Sequence, residues 1–241
     1  MSRLGVVVLH GLGGTPHSVL PITAAVHGAG YMTVAPLLPG HGTAPDDLIG
    51  RTWDEWLGAA MSVCDELTAR SDGIALIGQS LGATVALATA AQRSDVRGVA
   101  AINALVTPPD PDATEHLEYL IGRGRTMQPA GDPDLRDPDA HDSAYAELAL
   151  TALLQLGVGG AAVHGLLGAI RVPTFVASSA HDGIVDPANS DVLAAGVAGP
   201  VTRVRLENSA HVAALDLDRD LLCRELLTWL AGLTDRSAPT G

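Results

Sequence analysis

Residues 74–82 read Ile-Ala-Leu-Ile-Gly-Gln-Ser-Leu-Gly, an apolar run that ends in a serine between two glycines. The first four residues are typical of a buried strand, and the alanine- and leucine-rich stretch Leu81–Gln92 is typical of a helix. Ser80 is therefore expected in a sharp strand-to-helix turn, where Gly78 and Gly82 leave room for the crossing backbone. The pattern indicates a nucleophilic serine. The alternative is a glycine-lined helix start with Ser80 as its N-cap.

The rest of the chain repeats this alternation of strand and helix. Apolar runs predict six strands, at Leu4–Leu9, Tyr31–Ala35, Ile74–Ile77, Val96–Ile102, Thr174–Ala177 and Val201–Leu206. The segments between them have the length that parallel strands need for a crossover helix. Because two arginines alternate through the last run, we expect it near an edge. The sequence thus predicts an α/β fold with a mostly parallel sheet of at least six strands, flanked by helices.

One connection is much longer than a crossover requires, because about seventy residues separate the fourth run from the fifth. Two Pro/Asp-rich stretches in it favour turns and exposed loop. Helices are predicted in it at roughly Thr114–Gly122, Ser143–Leu156 and Ala161–Ala169. We therefore predict a core of residues 1–103 and 171–241, with an insertion at 104–170.

Two further strand ends carry the partners that a nucleophilic serine needs. A serine hydroxyl reacts poorly unless an imidazole takes its proton, and that imidazole needs a carboxylate to orient it. Asp182 follows the fifth run and His211 follows the sixth. Ser80, Asp182 and His211 are therefore predicted at one edge of the sheet as nucleophile, orienting acid and base.

Other acids and histidines are weaker candidates. Asp186 and Asp216 are also within reach of this edge, but each is typical of a helix start. His181 adjoins the acid and is expected to point away from the site. The remaining histidines lack a paired metal spacing such as His-Glu-x-x-His, so we predict no metal and no cofactor.

The loop His-Gly-Leu-Gly-Gly at 10–14 follows the first strand, at the edge where open parallel sheets bind ligands. It lacks both the glycine spacing of a dinucleotide loop and the lysine of a phosphate-binding loop. An oxyanion hole suits it better, with the Leu12 N–H opposing the N–H of Leu81 at the helix start. His10 is predicted to hold the loop by hydrogen bonds rather than to act as a base.

Composition excludes several classes of function. The 241 residues carry 27 acids against 14 arginines and no lysine, a formal charge of -13, so we expect no nucleic-acid partner. Without lysine, Schiff-base chemistry is excluded. Cys64 and Cys223 lie in apolar helical patterns and are predicted to be buried thiols. The first residues lack the features of a secretory signal, which predicts a cytoplasmic location.

The uncharged stretch Leu148–Ile170 is long enough to cross a bilayer. Such a span would place Ser80 on one side of the membrane and both Asp182 and His211 on the other. The predicted sheet could not then close, so we predict no transmembrane segment.

At these motifs the chain resembles the α/β-hydrolase superfamily, and within it the small bacterial carboxylesterases related to monoacylglycerol lipases. The motifs are His-Gly-Leu-Gly-Gly at 10–14, Pro-Gly-His-Gly at 39–42, Gly-Gln-Ser-Leu-Gly at 78–82, Val-Pro-Thr-Phe-Val at 172–176 before His181-Asp182, and Asn-Ser-Ala-His-Val at 208–212. The resemblance implies an ester hydrolase that uses Ser80, His211 and Asp182, with the N–H groups of Leu12 and Leu81 as its oxyanion hole.

The resemblance also implies that residues 104–170 form a cap over the acyl pocket, where its helices would line an apolar channel or rest on a lipid interface. Departures from the family pattern concern the substrate. Leu12 stands where the family often has Phe, Ala83 where a second Gly often follows the serine motif, and Ala210 where Gly commonly precedes the histidine.

The expected activity is hydrolysis of carboxylic esters of short to medium acyl chain through an acyl-Ser80 intermediate. Two alternatives keep the same three residues, namely acyl transfer to an alcohol and cleavage of a carbon–carbon bond in a diketone. A third is a non-catalytic protein that binds an apolar ligand.

Overall fold

The structure is a computed structural model that describes residues 4–235. Its strands are β1 (Leu4–Leu9), β2 (Met32–Val34), β3 (Gly73–Gln79), β4 (Val96–Ile102), β5 (Met127–Pro129), β6 (Glu147–Ala149), β7 (Thr174–Ser179) and β8 (Val201–Leu206). Its α-helices are α1 (Leu20–Gly28), α2 (Trp53–Thr68), α3 (Leu81–Gln92), α4 (Pro111–Gly122), α5 (Leu150–Leu166), α6 (Ala188–Gly196) and α7 (Arg219–Asp235). Short 3₁₀ helices span Pro16–Val19, Pro45–Leu48 and Leu167–Ala169.

The six predicted strands form one parallel sheet in the order β2-β1-β3-β4-β7-β8. The prediction of an α/β fold with a mostly parallel sheet is therefore confirmed, and the arginine-bearing β8 lies at an edge as expected. Because the strands are parallel, their carboxyl ends and the loops that follow them lie along a single edge. β5 and β6 form a separate antiparallel pair within the insertion.

Helices cover both faces of the sheet, which explains why its central strands β1, β3, β4 and β7 are mainly apolar and buried. Alternate residues of β1 enter opposite cores, since side chains along a strand point to opposite faces. Val7 and Leu9 pack with α2 and α3, while Val6 and Val8 pack with α1 and α7. In α3, every residue from Leu81 to Ala90 is buried, because α5 covers the side that faces away from the sheet.

Both cysteines are free thiols on helices that pack against the sheet. Cys64 of α2 is buried and Cys223 of α7 is half-buried. Burial raises the pKa of each thiol to about 11, so both stay protonated and unreactive at neutral pH.

The predicted helix Thr114–Gly122 is confirmed as part of α4, whereas the bounds of the other two predicted helices of the insertion are wrong. Residues 147–149 form β6, and one continuous helix, α5, spans Leu150–Leu166 in place of separate helices at Ser143–Leu156 and Ala161–Ala169. Glycine is unfavourable within a helix, but the glycines of α5 allow close packing. A Cβ at Gly159 would overlap the Trp53 ring, and one at Gly160 would lie 2.7 Å from the carbonyl oxygen of Thr107.

The insertion packs onto loops at the carboxyl edge of the sheet. The Tyr145 N–H donates to the carbonyl of Gly13 at 2.9 Å, and the Tyr145 hydroxyl accepts from the Thr43 N–H at 2.9 Å. The Ser18 hydroxyl donates to Asp142 at 2.7 Å. These contacts place residues 142–145 directly above the loops that follow β1 and β2.

Residues 150–169 are long and apolar enough to cross a membrane by length and composition alone. In the structure this segment packs on α2 and α3, and three of its polar side chains bond to the body of the protein. The Thr151 hydroxyl accepts from the Gly50 N–H at 3.2 Å. Gln155 accepts from the Trp53 N–H at 2.9 Å, and His164 bonds to the carbonyl of Val106 at 3.2 Å. The chain on both sides of the segment enters the same sheet, which a bilayer span would prevent.

His10 holds two loops together, as its place in the sequence predicts. Its Nε2 accepts from the Leu38 N–H at 3.1 Å, so the Nδ1–H donates to the carbonyl of Gly11 at 2.9 Å. Burial, with a smaller contribution from the nearby His41, lowers the pKa of His10 to about 4 against the opposing effect of the Gly11 bond. The ring is therefore neutral at neutral pH.

The glycines of α5 can be tested as a matched pair. We expect Gly159→Ala to destabilise the protein by about 1–3 kcal/mol, because the new methyl group would force α5 away from Trp53. Gly165→Ala meets nothing within 4 Å and should stabilise the protein by about 0.5–1 kcal/mol. Urea unfolding of both variants measures the difference, and equal effects would contradict the proposed packing role.

The stability of the protein should depend on His10 below neutral pH. His10 stays neutral in the folded protein down to about pH 4 but titrates near 6.5 when unfolded, so the unfolded chain binds the additional proton between these values. The free energy of unfolding should therefore fall as the pH is lowered from 6.5 to 4, by on the order of 3 kcal/mol from this residue. His10→Gln keeps an acceptor for Leu38 and should flatten the dependence measured by urea unfolding. Identical pH dependences in both proteins would refute this assignment.

Candidate active site

Ser80 lies in the sharp turn between β3 and α3. Its φ of 56° and ψ of -123° are unusual for a residue other than glycine, and its N–H donates to the carbonyl of Ile102 at 2.9 Å. A Cβ at Gly78 would collide with the backbone of Gly82, and one at Gly82 would collide with the carbonyl of Leu9. The Ser80 side chain makes no capping hydrogen bond, so the N-cap alternative is wrong.

His211 joins Ser80 to Asp182 in a hydrogen-bonded row. The His211 Nε2 lies 2.8 Å from the Ser80 Oγ, and the Nδ1 lies 2.9 Å from both carboxylate oxygens of Asp182. Because an ionised carboxylate only accepts hydrogen bonds, the Nδ1 carries the proton and the Nε2 faces the serine hydroxyl as an acceptor. The imidazole is thus placed to take a proton from Ser80.

The Asp182 side chain is 2% exposed, and a buried charge of this kind needs partners. Besides the imidazole, its Oδ1 accepts from the N–H groups of Ile184 at 2.9 Å and Val185 at 2.8 Å. These donors come from the turn after Asp182 itself, so the loop that presents the carboxylate also stabilises its charge.

The other acids have different roles. The Asp186 carboxylate accepts from the Ala188 N–H at the start of α6. Asp216 is fully buried and accepts from four backbone N–H groups, those of Arg136, Asp137, Ala210 and Leu217. Neither carboxylate bonds to the His211 ring, and His181 is exposed.

The loop after β1 lies against Ser80. A Cβ at Gly11 would come within 3.3 Å of the Ser80 Cβ, and Leu12 lines the same cavity as Ser80 and His211. Leu81 is the first residue of α3, so its N–H is one of the free donors at the helix start. Both predicted oxyanion-hole residues therefore adjoin Ser80.

A cavity of about 400 Å³ opens above Ser80 and His211, within the usual size of a small-molecule site. The insertion supplies most of its wall. Its lining includes three leucines, Leu148, Leu153 and Leu156, and three aspartates, Asp132, Asp134 and Asp142. Within residues 4–235, no three His, Cys, Asp or Glu side chains converge as a metal site.

Asp134 is a site residue that sequence reasoning missed. Its Oδ2 accepts from the N–H of His211 at 3.0 Å and from that of Gly183 at 2.9 Å. Its own carbonyl accepts from the Val212 N–H at 3.2 Å. One carboxylate of the insertion thus holds the loops of both the histidine and the acid. No local signal marks it, because it lies in a Pro/Asp-rich stretch that is typical of exposed loop.

Asn103 and Gln79 hold the histidine loop from the sheet side. Asn103, at a φ of 50°, donates to the carbonyl of His211 at 2.8 Å and to the Ser179 Oγ at 2.9 Å. Gln79 accepts from the Ala214 N–H at 3.0 Å. Each is a polar residue at the end of an apolar strand, and this position in the sequence could have identified both as candidate site residues.

A six-stranded parallel sheet with a strained serine turn, and with histidine and aspartate at later strand ends, defines a serine hydrolase of the α/β-hydrolase class. A family profile described as "Serine aminopeptidase, S33" matches residues 2–218. The chain belongs to this family.

Relatives with known names span almost the whole chain. It is 34% identical to a thermostable monoacylglycerol lipase of Bacillus sp. (strain H-257), over 95% of this chain and 90% of the relative. It is 23% identical to a carboxylesterase of Bacillus subtilis (strain 168), over 95% and 92%. A solved structure from a study of two metagenome-derived lipolytic enzymes superposes with a TM-score of 0.91 at 28% identity, over 96% of this chain and 94% of that one.

Two variants separate the hydrogen bonds that Asp134 accepts from the effect of its negative charge on the cavity. We expect Asp134→Ala to lower kcat by about ten- to a hundredfold, because the loops of His211 and Asp182 lose a shared acceptor and the imidazole shifts. Asp132→Ala removes an equal charge from the same cavity without touching either loop, and should leave kcat within about threefold. Steady-state kinetics on a soluble p-nitrophenyl ester, whose leaving group carries no further hydroxyl to bond to Asp132, provide the comparison. Equal losses in the two variants would contradict a positioning role.

Proposed function

We propose that this serine ester hydrolase cleaves carboxylic esters of short to medium acyl chain through an acyl-Ser80 intermediate. The observation that carries the proposal is the row Ser80–His211–Asp182 at the floor of a largely apolar cavity. The names of the relatives, a monoacylglycerol lipase and a carboxylesterase, support an ester as the substrate. No cofactor takes part.

In the first half of the reaction, Ser80 attacks the acyl carbon while the His211 Nε2 accepts its proton. Asp182 keeps the proton of the Nδ1 in place and stabilises the imidazolium that forms. The N–H groups of Leu12 and Leu81 donate to the oxyanion of the tetrahedral intermediate. The imidazolium then protonates the leaving alcohol, and the acyl group stays on Ser80.

In the second half, a water molecule takes the place of the alcohol. His211 accepts a proton from this water as it attacks the acyl carbon, and the same oxyanion hole stabilises the second tetrahedral intermediate. Collapse of this intermediate releases the acid, and His211 returns the proton to Ser80. The enzyme is regenerated with the same tautomer of His211.

We further propose that residues 104–170 act as the cap over the substrate, with residues 1–103 and 171–241 as the core. Residues 104–170 contribute both leucines and carboxylates to the cavity wall. In this proposal an acyl chain packs against the leucines, and a hydroxyl-bearing alcohol donates hydrogen bonds to the carboxylates. Contact of the cap with a lipid interface and a cytoplasmic location stay predictions.

The proposal is tested with p-nitrophenyl esters from acetate to palmitate. We expect hydrolysis to be fastest with a short or medium chain. Ser80→Ala should lower kcat by about 10⁴-fold or more, because no nucleophile remains for His211 to activate. Ser62→Ala, an exposed serine of α2, serves as the matched control and should keep full activity.

Trapping identifies the intermediate. Mass spectrometry after mixing with a slowly hydrolysed ester should detect one acyl group on Ser80, and a fluorophosphonate should label the same residue. Product analysis with a competing alcohol and an assay on a ring-fission diketone separate ester hydrolysis from acyl transfer and from carbon–carbon cleavage. A folded protein that turns over no ester, resists the fluorophosphonate and binds a fluorescent lipid would instead be a ligand-binding protein.

A further inference from the structure

A second cavity, partly open to solvent, lies in the insertion and adjoins the catalytic one at Leu153. It measures about 360 Å³ and is formed between α4 and α5, with a mainly apolar wall that includes Ala113, Leu117 and Val158. The reaction described above uses none of these residues. Among the described residues, Leu153 alone lines both this cavity and the catalytic cavity.

The geometry of α5 makes Leu153 the boundary between the two cavities. Leu156 follows by three positions, shares a face of the helix with Leu153 and lines the catalytic cavity only. Leu154, which points about 100° further around the helix, lines the second cavity only. All three leucines are half-buried, so none is a central part of the protein core.

The part of the substrate that reaches Leu153 is the acyl chain. His211 must protonate the leaving alcohol, so the alcohol lies on the side of His211, where Asp134 bonds to the histidine backbone. The acyl chain extends the other way, along Leu148 and Leu156 towards α5. A chain that follows these leucines meets Leu153, the lining residue that also borders the cavity between α4 and α5.

We propose that Leu153 is a specificity-determining residue that limits the length of the acyl chain by separating the catalytic cavity from the cavity between α4 and α5. The inference rests on the proposed ester hydrolysis. Truncation of Leu153 to alanine would join the two cavities and nearly double the space open to the chain. Longer acyl chains would then bury their ends against α4 instead of colliding with the side chain.

The experiment measures kcat/KM across the p-nitrophenyl ester series for three single variants and one double variant. Leu153→Ala should move the optimum to longer chains and raise kcat/KM for the longest esters by about tenfold or more relative to the short ones. Leu154→Ala makes the same truncation behind the boundary and should keep the wild-type optimum. Ala161→Trp narrows the second cavity from an exposed position on α5 and should also keep the wild-type optimum of chain length.

The double variant Leu153→Ala/Ala161→Trp is the decisive one, since filling the second cavity should return the optimum towards that of the wild type. If Leu153→Ala does not fold, Leu153→Val should shift the optimum in the same direction by a smaller amount. A wild-type enzyme that hydrolyses no ester would overturn the proposed function, and this inference with it. An active wild type and a folded Leu153→Ala with the same optimum would overturn the inference alone.

Discussion

The backbone of Ser80 is the constraint on which the rest of the site depends. A φ of 56° places its hydroxyl outside the turn between β3 and α3, in a conformation that is unfavourable for an L-residue. Gly78 and Gly82 make the turn possible because the helix start, the strand end and the end of β1 approach too closely for any side chain. The buried neighbours of the turn, together with the hydrogen bond from Ser80 to Ile102, leave it no room to relax. His211, Asp182 and the loop after β1 must each be positioned relative to this fixed hydroxyl.

The insertion and the sheet edge hold each other in place through two aspartates. Asp134 of the insertion accepts hydrogen bonds from the loops of His211 and Asp182, and Asp216 of the histidine loop accepts from the backbone of Arg136 and Asp137 in the insertion. Asp216 is fully buried and Asp134 is half-buried, and a carboxylate removed from water needs such donors. Each aspartate therefore helps to order the loops that donate to it. As a result, the segment that forms the wall of the substrate cavity also supports the hydrogen-bonded row beneath it. Changes in the insertion should therefore alter turnover as well as specificity.

The parts of the fold that were predictable are those that local chemistry specifies. Short apolar runs predicted the strands of the sheet, because helices cover both faces of the sheet. The alternating Arg203 and Arg205 predicted the position of β8 at an edge. Ser80, Asp182 and His211 could be predicted to meet because parallel strands bring their carboxyl ends to one edge of the sheet. The prediction of two separate helices in place of α5 was wrong because glycine lowers helix propensity in isolation. In the structure Gly159 and Gly160 are required by close contacts with Trp53 and Thr107, which lie far away in the sequence.

The sequence by itself thus determined the sheet, the serine turn and the identity of the three residues that meet there. Only the tertiary structure decided what surrounds them: Asp134 from a stretch that is typical of loop, Asn103 in a left-handed conformation, and a cavity wall that carries both leucines and carboxylates. The reason is physical. Apolar periodicity and glycine spacing act within a few residues of the chain. A tertiary hydrogen bond or a cavity wall instead depends on groups that are tens of residues or more apart in the sequence, and these groups meet only after the chain has folded.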